Sequence, residues 1–392
     1  MDASQPFSVL RRGRWSVAGV FFANGFLVGS WVPQIPLLLG RFHLTSFTLG
    51  LLLLLFGAGA ISSMMWCGHL LGRFGSKRVA GAFASYAVFG LLFIVLSPVL
   101  PLAALALFAF GATVGGMDVA MNANAVEVER RLGRAVTSSC HGFWSLGGFA
   151  GGGLGGLVVE HWGSVGHAIA VTIIAALIAT VAVRGMISEH SLAVKSKLRL
   201  SLPRKPAIYL VGIMALFSMV PEGAILDWAA LYLKQERGAS IAAASFAFAA
   251  FSGTMALTRF AGDWLRNLYG AVMTLRISSL LAALAMLGAG LLRDPMLAIA
   301  AFALAGFGIA NMVPIAFSTA GNQEGLSAGA GISTVTLMGY AGLLFAPSII
   351  GLAGGHFGFA AVFTALPLLL LIVFVFAGLA RAADRPPFQS ET

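Results

Sequence analysis

Apolar runs of about twenty residues, each broken by a short polar or basic stretch, fill this chain from end to end. Twelve can be read: 15–39, 47–71, 79–97, 101–126, 135–158, 167–187, 207–233, 241–262, 272–292, 296–318, 328–353 and 360–380. A helix that crosses a bilayer needs about 20 apolar residues, so each run predicts one membrane-spanning helix. The first, RRGRWSVAGVFFANGFLVG, looks superficially like a signal peptide. Its apolar part is long, however, and no A-x-A cleavage site follows, so it is kept as span 1.

Composition turns this pattern into a class. Of the 392 residues 59% are hydrophobic and 10% charged, and the mean hydropathy is +0.92. Soluble domains carry roughly 25% charged residues, so a 40.6 kDa body of this make-up cannot clothe itself for water. The expected class is an all-α integral membrane protein. Two cysteines, Cys67 and Cys140, exclude a disulfide scaffold and a Cys-rich metal cluster.

The net charge of +10 suggests nucleic acid only until its positions are read. With the N-terminus inside, the inner segments hold Arg11, Arg12, Arg14, then Arg73, Lys77, Arg78, then Arg130, Arg131, Arg134. Further along they hold Arg184 and the basic residues of 195–205, then Arg259, Arg266, Arg276, Arg381 and Arg385. Only Arg41, Lys234, Arg237 and Arg293 of the 24 basic residues fall outside. That bias is the positive-inside signal. It predicts a multi-pass membrane protein with both termini cytoplasmic, and no nucleic-acid partner.

The one long polar connection, SEHSLAVKSKLRLSLPRKP at 188–206, divides six spans from six, and features recur across it. Gly68 pairs with Gly262, Asp118 with Asn311, and GGFAGGGLGG from Gly147 with GLLFAPSIIG from Gly342, at offsets of 193 to 195 residues. Asn24-Gly25 with Trp31 is matched by Glu222-Gly223 with Trp228. The expected organisation is therefore two pseudo-symmetric six-helix halves, 1–187 and 207–392, joined by a cytoplasmic loop at 188–206.

Two such halves, together with GHLLGRFGSKR at 68–78, resemble the major facilitator superfamily. Its G-x-L-x-D-R-x-G-R-K/R loop is matched at Gly68, Leu70, Arg73, Gly75 and Lys77; Gly72 stands where the acid belongs and Ser76 also departs. GGFAGGGLGG is similar to the superfamily's span-5 pattern with Gly152 in the proline's place, and Pro347 stands in the second copy. MDVAMNANAVEVERRLGRAVTSSCHGFWSLGG, PEGAILDWAALYL and SWVPQIP look like a group of bacterial inner-membrane facilitators, distantly similar to fucose–proton symporters. The resemblance covers essentially the whole chain. It implies twelve transmembrane helices in the major facilitator fold, and gating or packing roles for Gly68, Arg73, Gly75, Gly147, Gly151, Gly155 and Pro347.

Charge at mid-bilayer costs about 2.5–3.5 kcal/mol per residue on insertion scales, so buried acids are functional candidates. Three lie within spans: Asp118, Glu222 and Asp227. Gly111, Gly115, Asp118, Asn122 and Ala125 share one helical stripe. Fucose symporters carry an acid followed four residues later by Asn in span 4. This resemblance implies a proton or sugar-hydroxyl partner in Asp118 and a cargo ligand in Asn122; the alternative is a polar pair stitching two helices. Pro221 and Gly223 predict a kinked or unwound span 7. Without a break, Glu222 and Asp227 point about 140° apart. One of them is expected to titrate, with Asp227 the better candidate for a capping or bridging role.

The cargo-facing candidates are Asn24, Trp31, Gln34, Asn122, His141, Trp144, Trp228, Asn311 and Tyr340. The tryptophans suit stacking on a sugar ring or an amphipathic solute, against a membrane-anchor role. His141 has a hydrogen-bonded structural role as its alternative, preferred over proton relay. Gln34 stands where nearer relatives often have Arg, so a fixed cation for an anionic cargo or a span-7 acid is expected to be missing. No P-loop, Rossmann fingerprint or nucleophile motif appears; neither a cofactor, a metal nor an enzymatic activity is expected.

The resulting expectation is a secondary transporter, working as a monomer, that moves a small polar, sugar-like organic solute with protons by alternating access. Its rival is a proton antiporter exporting an amphipathic compound, to which the glycine-rich span 5 points. A non-transporting membrane sensor is the alternative of another class, and it predicts a soluble domain or long tail that the sequence lacks.

Overall fold

The computed structural model describes residues 7–132, 136–188, 205–323 and 328–384, all helices and turns with no strand among them. In the first half, α1 is Phe7–Trp31, α2 Gln34–Arg41, α3 Ser46–Phe74, α4 Ser76–Leu96, α5 Leu100–Leu132 and α6 Thr137–Gly185. In the second, α7 is Pro206–Glu236, α8 Ile241–Leu291, α9 Pro295–Ile309, α10 Met312–Gly321, α11 Ala328–Phe357, α12 Phe359–Ala365 and α13 Pro367–Phe376, followed by a 3-10 segment to Asp384. Eleven stretches among the described residues are long and apolar enough to cross a membrane. One of them, Ser139–Gly185, has 47 residues, over twice the ~20 a bilayer requires. It folds back at Gly163, where φ is 71° and ψ 176°. The central loop lies outside the described residues except at its ends.

Three expectations about backbone need correction. The motif at 68–78 is not a loop: α3 runs helically through Gly68 and Gly72 to Phe74. The turn is made by Gly75 alone, at φ 78° and ψ 158°, a region essentially restricted to glycine. Span 1 breaks before its end because Pro33 has no N–H to continue the ladder, so the chain restarts as α2 at Gln34. Span 7 is not unwound: it runs as one helix from Pro206 to Glu236 with Pro221 inside it.

The two halves repeat their turns. Every positive-φ residue among the described ones has a partner 195 residues away: His43 with Gly238, Gly75 with Gly270, Gly163 with Gly358. Arginine clamps repeat too. Arg41 donates to the carbonyls of Val95 and Ser97, the latter at 2.6 Å. Arg237 donates to Gly290 and Leu292, each at 3.0 Å. Those two carbonyl pairs are again 195 residues apart. Each clamp seals the exposed carbonyl end of a helix.

One end of the bundle is arginine-rich. There Lys77 donates to the Arg184 carbonyl, Arg14 to Ser139, and Asn124 to Ser76 and the Ile187 carbonyl. At the opposite face, Glu160 of α6 accepts from Ala242 N–H at the start of α8, and Glu236 accepts from Phe359 and Ala360. Toward that opposite face α3 also closes on α11: the Ser348 hydroxyl donates to the Gly50 carbonyl at 3.1 Å, and Gly50 abuts the Pro347 backbone.

Glycine sets the helix spacing near the centre. A Cβ on Gly25 or Gly29 would strike the backbone of α6 at Trp144 or Gly148, and one on Gly147 or Gly151 would strike α1 at Phe22 or Phe26. The adjacent stripe, Gly148, Gly152 and Gly156, faces α8 at Ser252, Phe248 and Ala242. The helix therefore has two small-residue faces, one per half of the chain, which lets backbones approach closely in lipid.

Candidate functional site

This packing leaves a cavity of about 410 Å³ between the halves, which reaches the arginine-rich end at Thr137 and Arg266. Asp118 enters it from α5, His141 and Trp144 from α6, Glu222 from α7, Arg259 from α8, Asn311 from the junction of α9 and α10, and Tyr340 from α11. Its volume falls in the range of small-molecule sites.

Its centre is an ion pair. Arg259 Nη2 lies 3.4 Å from Glu222 Oε1, with 13% and 23% of the two side chains exposed. Through Nη1, Arg259 also donates to the Ser145 hydroxyl at 2.7 Å. Ser145 belongs to α6, and its carbonyl accepts from Ser252 of α8. One guanidinium thus joins a titratable acid of the second half to a serine of the first.

The remaining groups are arranged around that pair. Asn122 donates to the Asp118 carbonyl at 2.9 Å and to its Oδ1 at 3.3 Å. Asp118 lines the cavity while Asn122 supports it from one turn away. Tyr340 and His141 line the same cavity as Asp118, Glu222 and Arg259. His141 packs edge-on against Phe21 at 5.1 Å. Trp144 spends its indole N–H on Asn24 Oδ1 at 2.9 Å, which fixes its ring at the cavity wall. Asn311 lines the cavity at 7% exposure, and its buried Nδ2 has no partner among the described residues, where unmet polar groups are costly.

Other candidates stand elsewhere. Asn24 is 1% exposed and fully engaged, donating to the Val114 carbonyl and accepting from Trp144, so it ties α1 to α5 and α6. Gln34 is buried toward the opposite face, bonded to Ser164 and to His167 Nδ1. Trp31 is buried there as well. Trp228 has no exposure and stacks on Phe359 at 5.0 Å, against Gly351. Asp227 does not line the cavity, as the unbroken α7 requires: five residues along a regular helix turn it away from Glu222.

Gly68 abuts nothing, Arg73 lies over the Phe74 ring, and Gly155 abuts Pro33 and His167.

Arg259 is the residue that sequence reasoning missed, and it corrects the expectation that no cation meets a span-7 acid. By sequence it groups with the inner basic residues, since it stands near the end of the apolar run. In the structure α8 continues eleven residues to the turn at Gly270, about 16 Å along the helix, so Arg259 lies within the helix and lines the cavity. The signal was a basic residue already inside the run 241–262.

Comparison with known proteins agrees with this architecture. Residues 17–323 match the model of the Major Facilitator Superfamily. An uncharacterised transporter of Sinorhizobium fredii is 35% identical over 338 residues, covering 86% of this chain and 89% of the relative. An uncharacterised MFS-type transporter of Yersinia pestis is 34% identical over 367 residues, with 93% and 94% covered. The crystal structure of the E. coli fucose:proton symporter superposes with a TM-score of 0.63 at 16% identity, covering 94% of this chain and 98% of that one.

Proposed function

The chain belongs to the major facilitator superfamily, and on that premise we propose that it is a proton-coupled secondary transporter of a small polar, sugar-like solute. The observation that carries this reading is the Glu222–Arg259–Ser145 link across the cavity. As a carboxylate, Glu222 holds the guanidinium. Once protonated it releases that hold, and Arg259 is free to donate to cargo or to strengthen its tie to the other half. A proton at one atom thereby alters both the binding site and the contact between the parts that rock in alternating access.

The lining suits a polyol. A hydroxyl donates to Asp118 and accepts from Arg259, while the face of a sugar ring stacks on Trp144. The fold likeness to a fucose:proton symporter supports the same class. In the proposed orientation the arginine-rich end is cytoplasmic, the membrane is a bacterial inner membrane, and the cavity is open inward.

The test begins with a thermal-shift panel of sugars, polyols, amino acids and amphipathic amines on purified protein. Proteoliposomes carrying a pH-sensitive dye then report proton movement on cargo addition. Movement with the cargo is expected, abolished in Glu222→Gln and Asp118→Asn while exchange at equal pH persists. Movement against the cargo assigns the protein to the exporting antiporters, and no proton movement with intact transport overturns the coupling.

A further inference from the structure

A second pocket, of about 380 Å³, opens at the opposite face and takes no part in the central cavity. Its wall is mostly apolar, built from Pro36, Leu37, Leu38 and Ile94, with Trp31 and Gln34 at the base. Of the four basic residues that the charge pattern places on this face, two line it: Arg41 from α2 and Lys234 from α7. No acid lines it. The acids around it are engaged or remote. Glu236 and Glu160 are bonded to backbone N–H groups, and Asp227 lies about 10 Å deeper along α7, two turns below Lys234.

The two cations differ in use. Arg41 is anchored on the carbonyls of Val95 and Ser97. Lys234 makes no hydrogen bond or ion pair among the described residues. Beneath them Trp31, 2% exposed, keeps an indole N–H without a partner. Two positive charges and an apolar wall face one space with no acid in its lining, and the Trp31 N–H is buried beneath it. We propose that this pocket binds an organic anion carried on an apolar body, a carboxylate or phosphate on a hydrophobic stem.

The pocket has a position as well as a chemistry. Lys234 comes from the second half of the chain and every other lining residue from the first. An anion held by both cations bridges the halves where α2 and α7 already meet. It therefore favours the conformation in which this face is closed and the central cavity reaches the arginine-rich end, by its differential affinity for that state. The ligand acts as a brake applied from the far side of the membrane. A headgroup from the adjacent leaflet and a soluble amphipathic carboxylate share this chemistry.

Benzoate is the probe, titrated by calorimetry into the full chain in phosphatidylcholine nanodiscs, with benzyl alcohol as the uncharged match. Saturable benzoate binding is expected, at least tenfold weaker in Lys234→Gln, restored in Lys234→Arg, and absent for benzyl alcohol. Arg259→Gln serves as the second site variant: binding lost there but retained in Lys234→Gln places the anion in the central cavity and overturns the outer site. Nanodiscs containing phosphatidylglycerol separate the sources. Suppressed benzoate binding together with a Lys234-dependent gain in thermal stability names the headgroup as occupant. Unchanged benzoate binding names the soluble anion. Neither benzoate binding nor a Lys234-dependent lipid effect overturns the proposal.

Discussion

The two halves of the chain share their turns and differ in their chemistry. Gly75 and Gly270 reverse the backbone at equivalent places, and Arg41 and Arg237 clamp equivalent carbonyls. Yet Asp118 of the first half corresponds to Asn311 of the second, and the region 195 residues before Arg259 holds Met64 and Met65. Duplicated positions serve geometry: they set where helices reverse and how their ends are sealed, needs that are the same in both halves. Unpaired positions gather at the cavity, where each half presents a different group to the same space. A charge there is tolerated because its partner comes from the unlike position, as Arg259 finds Glu222 and Ser145.

The largest expected effect breaks the asymmetric part. Arg259→Gln leaves Glu222 without its cation and the α6 tie without its donor. Proteoliposome uptake should fall at least a hundredfold, and stability should drop by about 3 kcal/mol, the low end for removing one partner of a buried pair. Wild-type uptake from this variant would remove the ion pair from the mechanism.

The symmetric part is tested next. Gly75→Ala and Gly270→Ala each force a side chain into a glycine-only region, at about 1–3 kcal/mol. Chemical unfolding in detergent should give similar losses for the two, and additive ones in the double variant because the turns lie apart. A large cost at one turn with none at the other would mean that the matched turns do different jobs.

Arg41→Gln and Arg237→Gln sharpen the same point at the opposite face. Each removes charged donors to two carbonyls, for about 2 kcal/mol, and the matched partners should again agree when their apparent unfolding temperatures are compared.

Asn122→Ala has the smallest expected effect, about 1 kcal/mol, because among the described residues its amide bonds only to Asp118 one turn away. In Asp118→Asn that bond is already weakened, so the double variant should lose less than the two single losses together. Cargo binding unaltered in both would place the solute away from α5.

Much of the frame was legible in residues alone. Apolar run length locates the helices, basic residues separate the two faces, and the repeat at 193 to 195 residues anticipates the matched turns. Asp118, Glu222, His141, Trp144, Asn311 and Tyr340, all marked as candidates, meet in one cavity. Asn24, Trp31, Gln34 and Trp228 were marked by the same polar or aromatic character, yet they serve packing or the far face. Residue type announces a need for partners, and cannot say whether a helix or a solute meets it.

What the sequence by itself determined is whatever depends on the solvent and on local backbone rules. The lipid phase requires long apolar helices with every backbone group paired within them. Only the tertiary structure decided which side chains share a space. Arg259 near the end of an apolar run reads like any loop arginine until α8 is seen to continue past it. Glu222 and Asp227 point apart only if span 7 is unbroken, and the single helix α7 leaves Glu222 alone of the two in the cavity lining. Those outcomes depend on helix rotation and depth, which are set by contacts between residues more than a hundred positions apart, such as Gly25 against the backbone of Trp144. A pattern read along one chain does not contain that distance.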